Sequence, residues 1–385
     1  MGKADPARNI QLGTGVLRDP RACADREFLV TDGSGGYASC SLLFCPTRRY
    51  HGLLVTNLPP PASGRHVLVS ALEERFHGAV PSDPFRLSGP WCGDTEDPGL
   101  RCPVDYRQDD GGLCWRYETP AGILERRLRM IPGRELVMLA YRLPETAPDG
   151  CRLRLAPFLA YRRNHALAAA NEFWRSAVQK RPAGLRVEPY DGMPPLVWTW
   201  TENARPQTGD GWTHDVYLPR EEERGFECRE DLFQPAVLTL PLPPGKTVFT
   251  AFATGDIQSD LAALWRKAGA GARRRAENRA APVRLPGRES RSELLTHLIR
   301  AADDFLVRVP PNRPTVLAGY HWFEDWGRDL LISLPGLAFR TGNLDRGREI
   351  LRAFVAREQD GLLPNFVGPD GSRPAYNSID APLWL

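Results

Sequence analysis

Residues 320–329, Tyr-His-Trp-Phe-Glu-Asp-Trp-Gly-Arg-Asp, concentrate aromatic rings, one fixed cation and three carboxylates in a single short stretch. Flat rings offer apolar faces to the C–H side of a pyranose. The Arg328 fork can donate hydrogen bonds to vicinal hydroxyls, and a carboxylate such as Asp329 can accept them. This mixture suits a carbohydrate better than a nucleotide or a lipid. Its structural counterpart is a Trp-rich helix start in which Arg328 and Asp329 form an ion pair. Composition alone leaves both readings open.

Helical elements must position these residues. Beyond residue 290 the apolar period is that of a helix. Ser292 can cap a first helix with Leu294, Leu295, Leu298, Ala302, Phe305 and Leu306 on one face, ending before Pro310-Pro311. A second is expected over 329–340 with Leu331, Leu334 and Leu337 inward, bent at Pro335. Gly342 stops it, and Asn343 caps a third helix carrying Ile350, Leu351, Phe354 and Val355. Gly361 closes that one, and 380–385 reads as the start of a fourth.

The connections run long, short, long. In a ring of antiparallel helices alternate connections share an end, so 311–326 and 361–379 should fall on one face. Long loops in a compact domain are usually functional. That face would collect Trp322, Trp326, Arg328, Asp329, Asn365, Tyr376, Asn377 and Asp380. For Asn365, Asn377 and Asp380 the alternative role is loop-fixing hydrogen bonds. Tyr320, His321 and Trp322 either touch a ligand or buttress the loop.

Residues 27–252 read as β. Short β-branched or alternating runs such as 52–56, 67–72, 123–131, 136–143 and 248–253 recur between Gly, Pro and Asp turns, the pattern of packed antiparallel sheets. A short helix is expected at 164–173. The Gly33–Gly36 turn lacks the spacing of a phosphate or dinucleotide loop and reads as a β-turn with positive φ. Arg48, Arg49, Tyr50 and His51 form a second charged-aromatic cluster. It is either an ion-pair cluster or a strand edge that meets the helical region near its cleft. A helix over 259–281, apolar at Leu261, Leu264 and Trp265, bridges the two parts, and its Arg273–Arg275 run reads as a solvated face. The organisation expected is a tail over 1–20, a β domain over 21–256, a linker over 257–290 and a helical domain over 291–385.

A chain of 385 residues holds about two or three domains. Its net charge of +3 is too small to suggest a nucleic-acid or membrane surface. No apolar run approaches the roughly 20 residues needed to span a bilayer. Eight cysteines are scattered without a C-x-x-C pair, which suggests reduced thiols in the cytoplasm and no metal site.

Several blocks together resemble one family. Residues 27–39 (EFLVTDGSGGYAS) and 47–55 (TRRYHGLLV) are similar to the amino-terminal domain of bacterial and archaeal glycogen debranching enzymes. Residues 318–323 (AGYHWF), 325–329 (DWGRD), 361–365 (GLLPN) and 376–381 (YNSIDA) resemble the opening of their catalytic domain. The resemblance implies an antiparallel β-supersandwich followed by an (α/α)6 toroid. It implies amylo-α-1,6-glucosidase activity on glycogen or another branched α-glucan, with no metal or organic cofactor. The implied mechanism is inverting, with acid and base roughly 6.5–9.5 Å apart. Arg328 and Asp329 would then hold hydroxyls of a terminal glucose against Trp326, with Asp329 as proton donor a second assignment.

The general acid and base of that family are expected beyond Leu385. The toroid is accordingly expected to be incomplete, its helices loosely folded, and the chain by itself inactive. Two other readings stand beside this one: a glucan-binding module without turnover, and a glucoamylase-like α-glucosidase of different linkage preference. The sequence implies no oligomeric state.

Overall fold

The computed structural model describes residues 10–80, 84–92, 99–109, 112–182, 184–257, 260–280, 293–369 and 374–385. Two nine-stranded antiparallel sheets make up the first two thirds of the chain. One runs, in spatial order, through Ile10–Gly13, Asp105–Asp109, Gly112–Thr119, Gly122–Met130, Leu136–Arg142, Thr247–Ala253, Leu196–Trp200, Gly184–Val187 and Val178–Arg181. The other runs from Glu27–Thr31 through Tyr37–Ser41, Gly52–Leu58, Gly64–His77, Arg152–Arg163 and Arg229–Pro241 to Pro206–Tyr217 and Trp91–Cys92, with Phe85–Ser88 paired alongside Gly64–His77.

Alternation along the strands sends one set of side chains into a shared core. Leu54, Leu68 and Leu155 from the second sheet meet Trp115, Leu128 and Leu139 from the first. The central strands of the second sheet are covered on their other face as well. Tyr37, Val55, Val67 and Phe158 pack there against Val307, Val309, Leu317 and Tyr320. Every residue of Gly52–Leu58 is therefore buried.

Ile10–Gly13 pairs with Asp105–Asp109, so part of the stretch expected as a tail is an edge strand. The helix expected at 164–173 is absent. That segment runs as turns because Ala168 N–H and Ala170 N–H donate to Glu230 Oε2 (3.2 Å) and Asp231 Oδ2 (2.9 Å), which spends the donors on the neighbouring strand. In the Gly33–Gly36 turn, Gly33 and Gly35 have φ of 81° and 95°. Asp32 Oδ1 accepts from the amides of Ser34 and Gly36, and Arg308 N–H donates to Gly33 O (3.0 Å), docking the turn onto the second half of the chain.

The helix Leu261–Ala280 starts where Asp260 accepts from the amides of Ala262 and Ala263. Leu261 and Leu264 pack on Met138, Phe249 and Ala251 of the first sheet, and Trp265 lies under Arg129 at 4.1 Å. The side chains of Arg273–Arg275, the break at 282–287 and the Ser292 cap lie outside the described residues.

The helix Glu293–Phe305 stops earlier than its apolar pattern suggests. Leu306–Val309 pairs with Arg313–Val316 in a two-stranded hairpin, so the loop expected at 311–326 is partly strand. Gly327–Leu334 is α-helical and continues through a wider π-type turn at Pro335–Phe339, the place where proline was expected to bend it. Leu344–Val355 follows, and Ala381–Trp384 forms a single 3-10 turn. Asn343 precedes Leu344–Val355 without a side-chain cap. Leu330, Leu334, Ile350, Phe354, Leu363 and Val367 close a small core of their own.

Candidate functional site

The two long connections meet at the start of Gly327–Leu334. Gly327 N–H donates to Asn365 O (2.8 Å), and Trp326 and Phe366 pair across an isolated bridge with ring centroids 5.3 Å apart. Gly327 permits this approach, because a Cβ there would stand 2.0 Å from Pro364 O and 2.6 Å from the Phe354 ring. A second bridge, Phe366 with Ala375, brings residues 374–380 alongside. Arg328, Asp329, Asn365, Asn377 and Asp380 are thereby carried to one end of the helical core.

Arg328 Nη1 donates to Asp380 Oδ2 at 2.9 Å, with the two side chains 50% and 33% exposed. Arg328 is therefore paired with Asp380 and not with its sequence neighbour. Asp329 is exposed beside it and raises the Arg328 pKa by its charge, after the larger effect of Asp380. The Ser378 hydroxyl and the Arg328 guanidinium hold the Asp380 carboxyl below its ordinary value. An ionised Asp380 accepts hydrogen bonds and is poorly suited to give up a proton. Asn365 Nδ2 donates to Asn377 Oδ1 (3.1 Å), which leaves Asn365 Oδ1 and the Asn377 amide for other partners. Tyr376 OH donates to Arg357 O and fixes the loop.

Asp325 belongs to the support of this end. It is buried, accepts from Arg313 and from Thr315 Oγ1, and burial pushes its carboxyl up while Arg313 opposes the shift. Arg313 Nη2 also donates to Gly368 O (2.8 Å), so one guanidinium ties both long connections together.

Residues 319–324 turn the other way, onto the second sheet. Arg65, fully buried, pairs with Glu324 (3.1 Å) and donates to the carbonyls of Phe323 and Gly319. His321 Nε2 bonds Ser39 Oγ (2.9 Å), and Asn164 Nδ2 donates to His321 O (3.3 Å). Tyr320 is buried against Tyr37 and its hydroxyl donates to Asp304 O. Tyr320 and His321 thus buttress the loop. Trp322 stays 37% exposed, with Arg48 over its ring at 5.6 Å and Tyr50 edge-on at 5.8 Å. The Arg48–His51 cluster meets the helical half here and also forms ion pairs, Arg48 with Glu27 and Arg49 with Glu221.

Glu27, His51 and His321 bring three possible ligand atoms within 4.8 Å of one another. Their hydrogen bonds fit a proton better than an ion. Thr47 N–H donates to His51 Nδ1 (3.0 Å), so the neutral ring carries its proton on Nε2, the atom an ion would require. That Nε2 faces Glu27 Oε1 at 3.5 Å, and Arg48 already holds the same oxygen at 2.6 Å. Burial would raise Glu27, but His51 and Arg48 outweigh it and bring its pKa to about 2.

Sequence reasoning missed Arg65, Glu324, Asn164 and Arg313. An arginine at the head of the largely apolar run 67–72 was the available signal for Arg65. Glu324 lay within the carboxylate-bearing stretch 320–329 without a sign of its partner, and nothing local marked Asn164 or Arg313.

Residues 26–249 match the family described as "Glycogen debranching enzyme N terminal", and residues 300–385 match "Amylo-alpha-1,6-glucosidase". The chain belongs to the glycogen debranching enzyme family. The first match covers the body of both sheets, and the second begins within Glu293–Phe305 and contains every group of the Arg328 end. The glycogen debranching enzyme of Saccharomyces cerevisiae (strain ATCC 204508 / S288c) is 36% identical over 79 residues, which are 19% of this chain and 5% of the yeast protein. A bacterial glucoamylase complexed with acarbose aligns over 94% of this chain and 52% of its own, with 10% identity and a TM-score of 0.49.

Proposed function

We propose that this chain carries the glucose-holding part of an amylo-α-1,6-glucosidase, which releases the single glucose left at a branch point of glycogen. The carrying observation is the half-exposed Arg328–Asp380 pair, set beside Trp326, Asn365 and Asn377 where the two long connections meet. Arg328 would donate to two hydroxyls of the terminal glucose while Asp380 accepts from a third. Trp326 would contribute apolar surface to one side of the ring. On this reading the two sheets form the family's β-supersandwich and the helices belong to an (α/α)6 toroid.

Inverting hydrolysis breaks the C1–O6 bond. An acid protonates the departing O6, and a base takes a proton from the water that attacks C1 on the opposite face. Neither role is assigned to a residue of this chain. A second reading, glucan binding without turnover, is supported by the depressed Asp380 carboxyl, which suits holding better than proton donation.

Glucose release from a phosphorylase-limit dextrin tests the proposal. Release that Arg328→Ala abolishes supports debranching. Retention of the dextrin without release supports the binding reading. Faster release from linear maltooligosaccharides points to an α-1,4-acting hydrolase instead.

A further inference from the structure

A run of ring and cation contacts leads from Phe226 on the sandwich half to Trp322 on the helical half. Phe226 is 53% exposed, with Arg49 and Arg224 beside its ring at 5.6 and 4.9 Å. Arg49 is the keystone. Its backbone N–H and Nε both donate to Glu221, whose side chain is fully buried, while its Nη atoms donate to His165 O (3.0 Å) and Glu227 O (2.9 Å). His165 Nδ1 then bonds Tyr50 OH (3.2 Å), and Tyr50 packs against Trp322. Trp322 lies on the same loop as Trp326.

Two observations separate this strip from ordinary surface decoration. Its long cation is held in one geometry by a buried carboxylate and by backbone carbonyls, so little side-chain entropy remains to be lost on binding. Its exposed rings are also interleaved with hydrogen-bonding groups. A polyhydroxylated chain of rings needs alternating flat apolar faces and donors, and this surface supplies them.

We propose that Phe226, Arg49, His165 and Trp322, three from the sandwich and the last from the helical half, bind an extended α-glucan chain, with the buried Tyr50 holding His165 and Trp322 in place beneath them. The strip would contact glucose units outside the terminal one. This rests on the glucan reading of the Arg328 end and extends it. The β-sheet half would then contribute directly to recognition of long chains.

Calorimetric titration of the full chain with maltose and maltoheptaose, with glycogen affinity electrophoresis beside it, tests the idea. The unmodified protein should bind maltoheptaose more tightly than maltose. Phe226→Ala and His165→Ala, both at exposed side chains, should each weaken maltoheptaose about 3–10-fold and leave maltose unchanged, the size expected for one lost ring contact. Arg328→Ala should weaken both sugars. If Phe226→Ala and His165→Ala keep the full chain-length preference while Arg328→Ala loses binding, the strip is wrong and the functional reading stands. If no glucan binds the unmodified protein, the functional reading fails and takes the strip with it. A dimer in sedimentation that Phe226→Ala dissociates would reassign the surface to a second copy of this chain.

Discussion

Arg328 holds its charge half in solvent with Asp380 as its only carboxylate partner at hydrogen-bond distance among the described residues, an arrangement that contributes little to folding. Solvent screening and side-chain entropy cancel most of the attraction in an exposed pair of this kind. The pair therefore matters chiefly for what it can hold. Asp380→Asn should leave the melting temperature within about 2 °C of the parent, yet weaken maltose by about tenfold, as expected for loss of a charge-assisted hydrogen bond. Calorimetry and thermal melts on the same sample check both halves, and a large stability loss with unchanged binding would make the pair structural. His321 gives the opposite case, a residue that matters for folding. Desolvation, with the neighbouring His51, lowers its pKa to about 4 from an ordinary 6.5. The unfolded chain therefore binds more protons between those values, so the contribution is complete above about pH 6.5 and is lost as pH falls towards about 4. Over the whole window it amounts to ~3 kcal/mol. Urea unfolding at about pH 7 and about pH 4 should show this slope, and His321→Gln should flatten it. Glu27, depressed to about 2 and facing His51 and Arg48, contributes in the same direction at lower pH, between about 4.5 and 2.

At the scale of elements, the junction between the two long connections depends on one missing side chain. A Cβ at Gly327 would collide with the Pro364 carbonyl and the Phe354 ring, and neither backbone nor packed ring can yield cheaply. Gly327→Ala should cost about 2–4 kcal/mol by overpacking, measured as a shift in urea midpoint. It should weaken maltose as well, since Trp326 and Asn365 are held across that contact; unchanged stability would mean the junction is slack. The meeting of these connections was legible in the sequence, because the long-short-long spacing placed 311–326 and 361–379 on one side. Strands such as Leu136–Arg142 and Thr247–Ala253 were legible from short apolar or β-branched runs between Gly and Pro turns. The hairpin of Leu306–Val309 and Arg313–Val316 was not. Leu306 continues the apolar stripe of Glu293–Phe305, and four-residue strands carry too little pattern to compete with it. The pairing of Arg328 with Asp380 was equally hidden, since the adjacent Asp329 offered a local partner and the real one lies 52 residues away.

The molecule as a whole turns on the central strands of the second sheet being covered on both faces. Tyr37, Val55, Val67 and Phe158 point away from the sandwich core and are sealed by Val307, Val309, Leu317 and Tyr320 from the other half. Burying four such side chains contributes about 6–12 kcal/mol at most, as large as the net stability of a typical domain. Arg65 reinforces the contact from within the sheet, where removing it would leave Glu324 without its guanidinium. The two halves are therefore expected to behave as one cooperative unit and not as independent domains joined by Leu261–Ala280. A chain cut after residue 254 should expose that face, bind a hydrophobic dye and self-associate in sedimentation. The 385-residue protein should melt in a transition that includes both halves, and Val307→Asp should reproduce much of the truncation's effect. A sandwich that remained monomeric and dye-silent on its own, melting where the full chain melts, would mean that the outer face is only lightly held and that the loop carrying Trp322 is free to leave it.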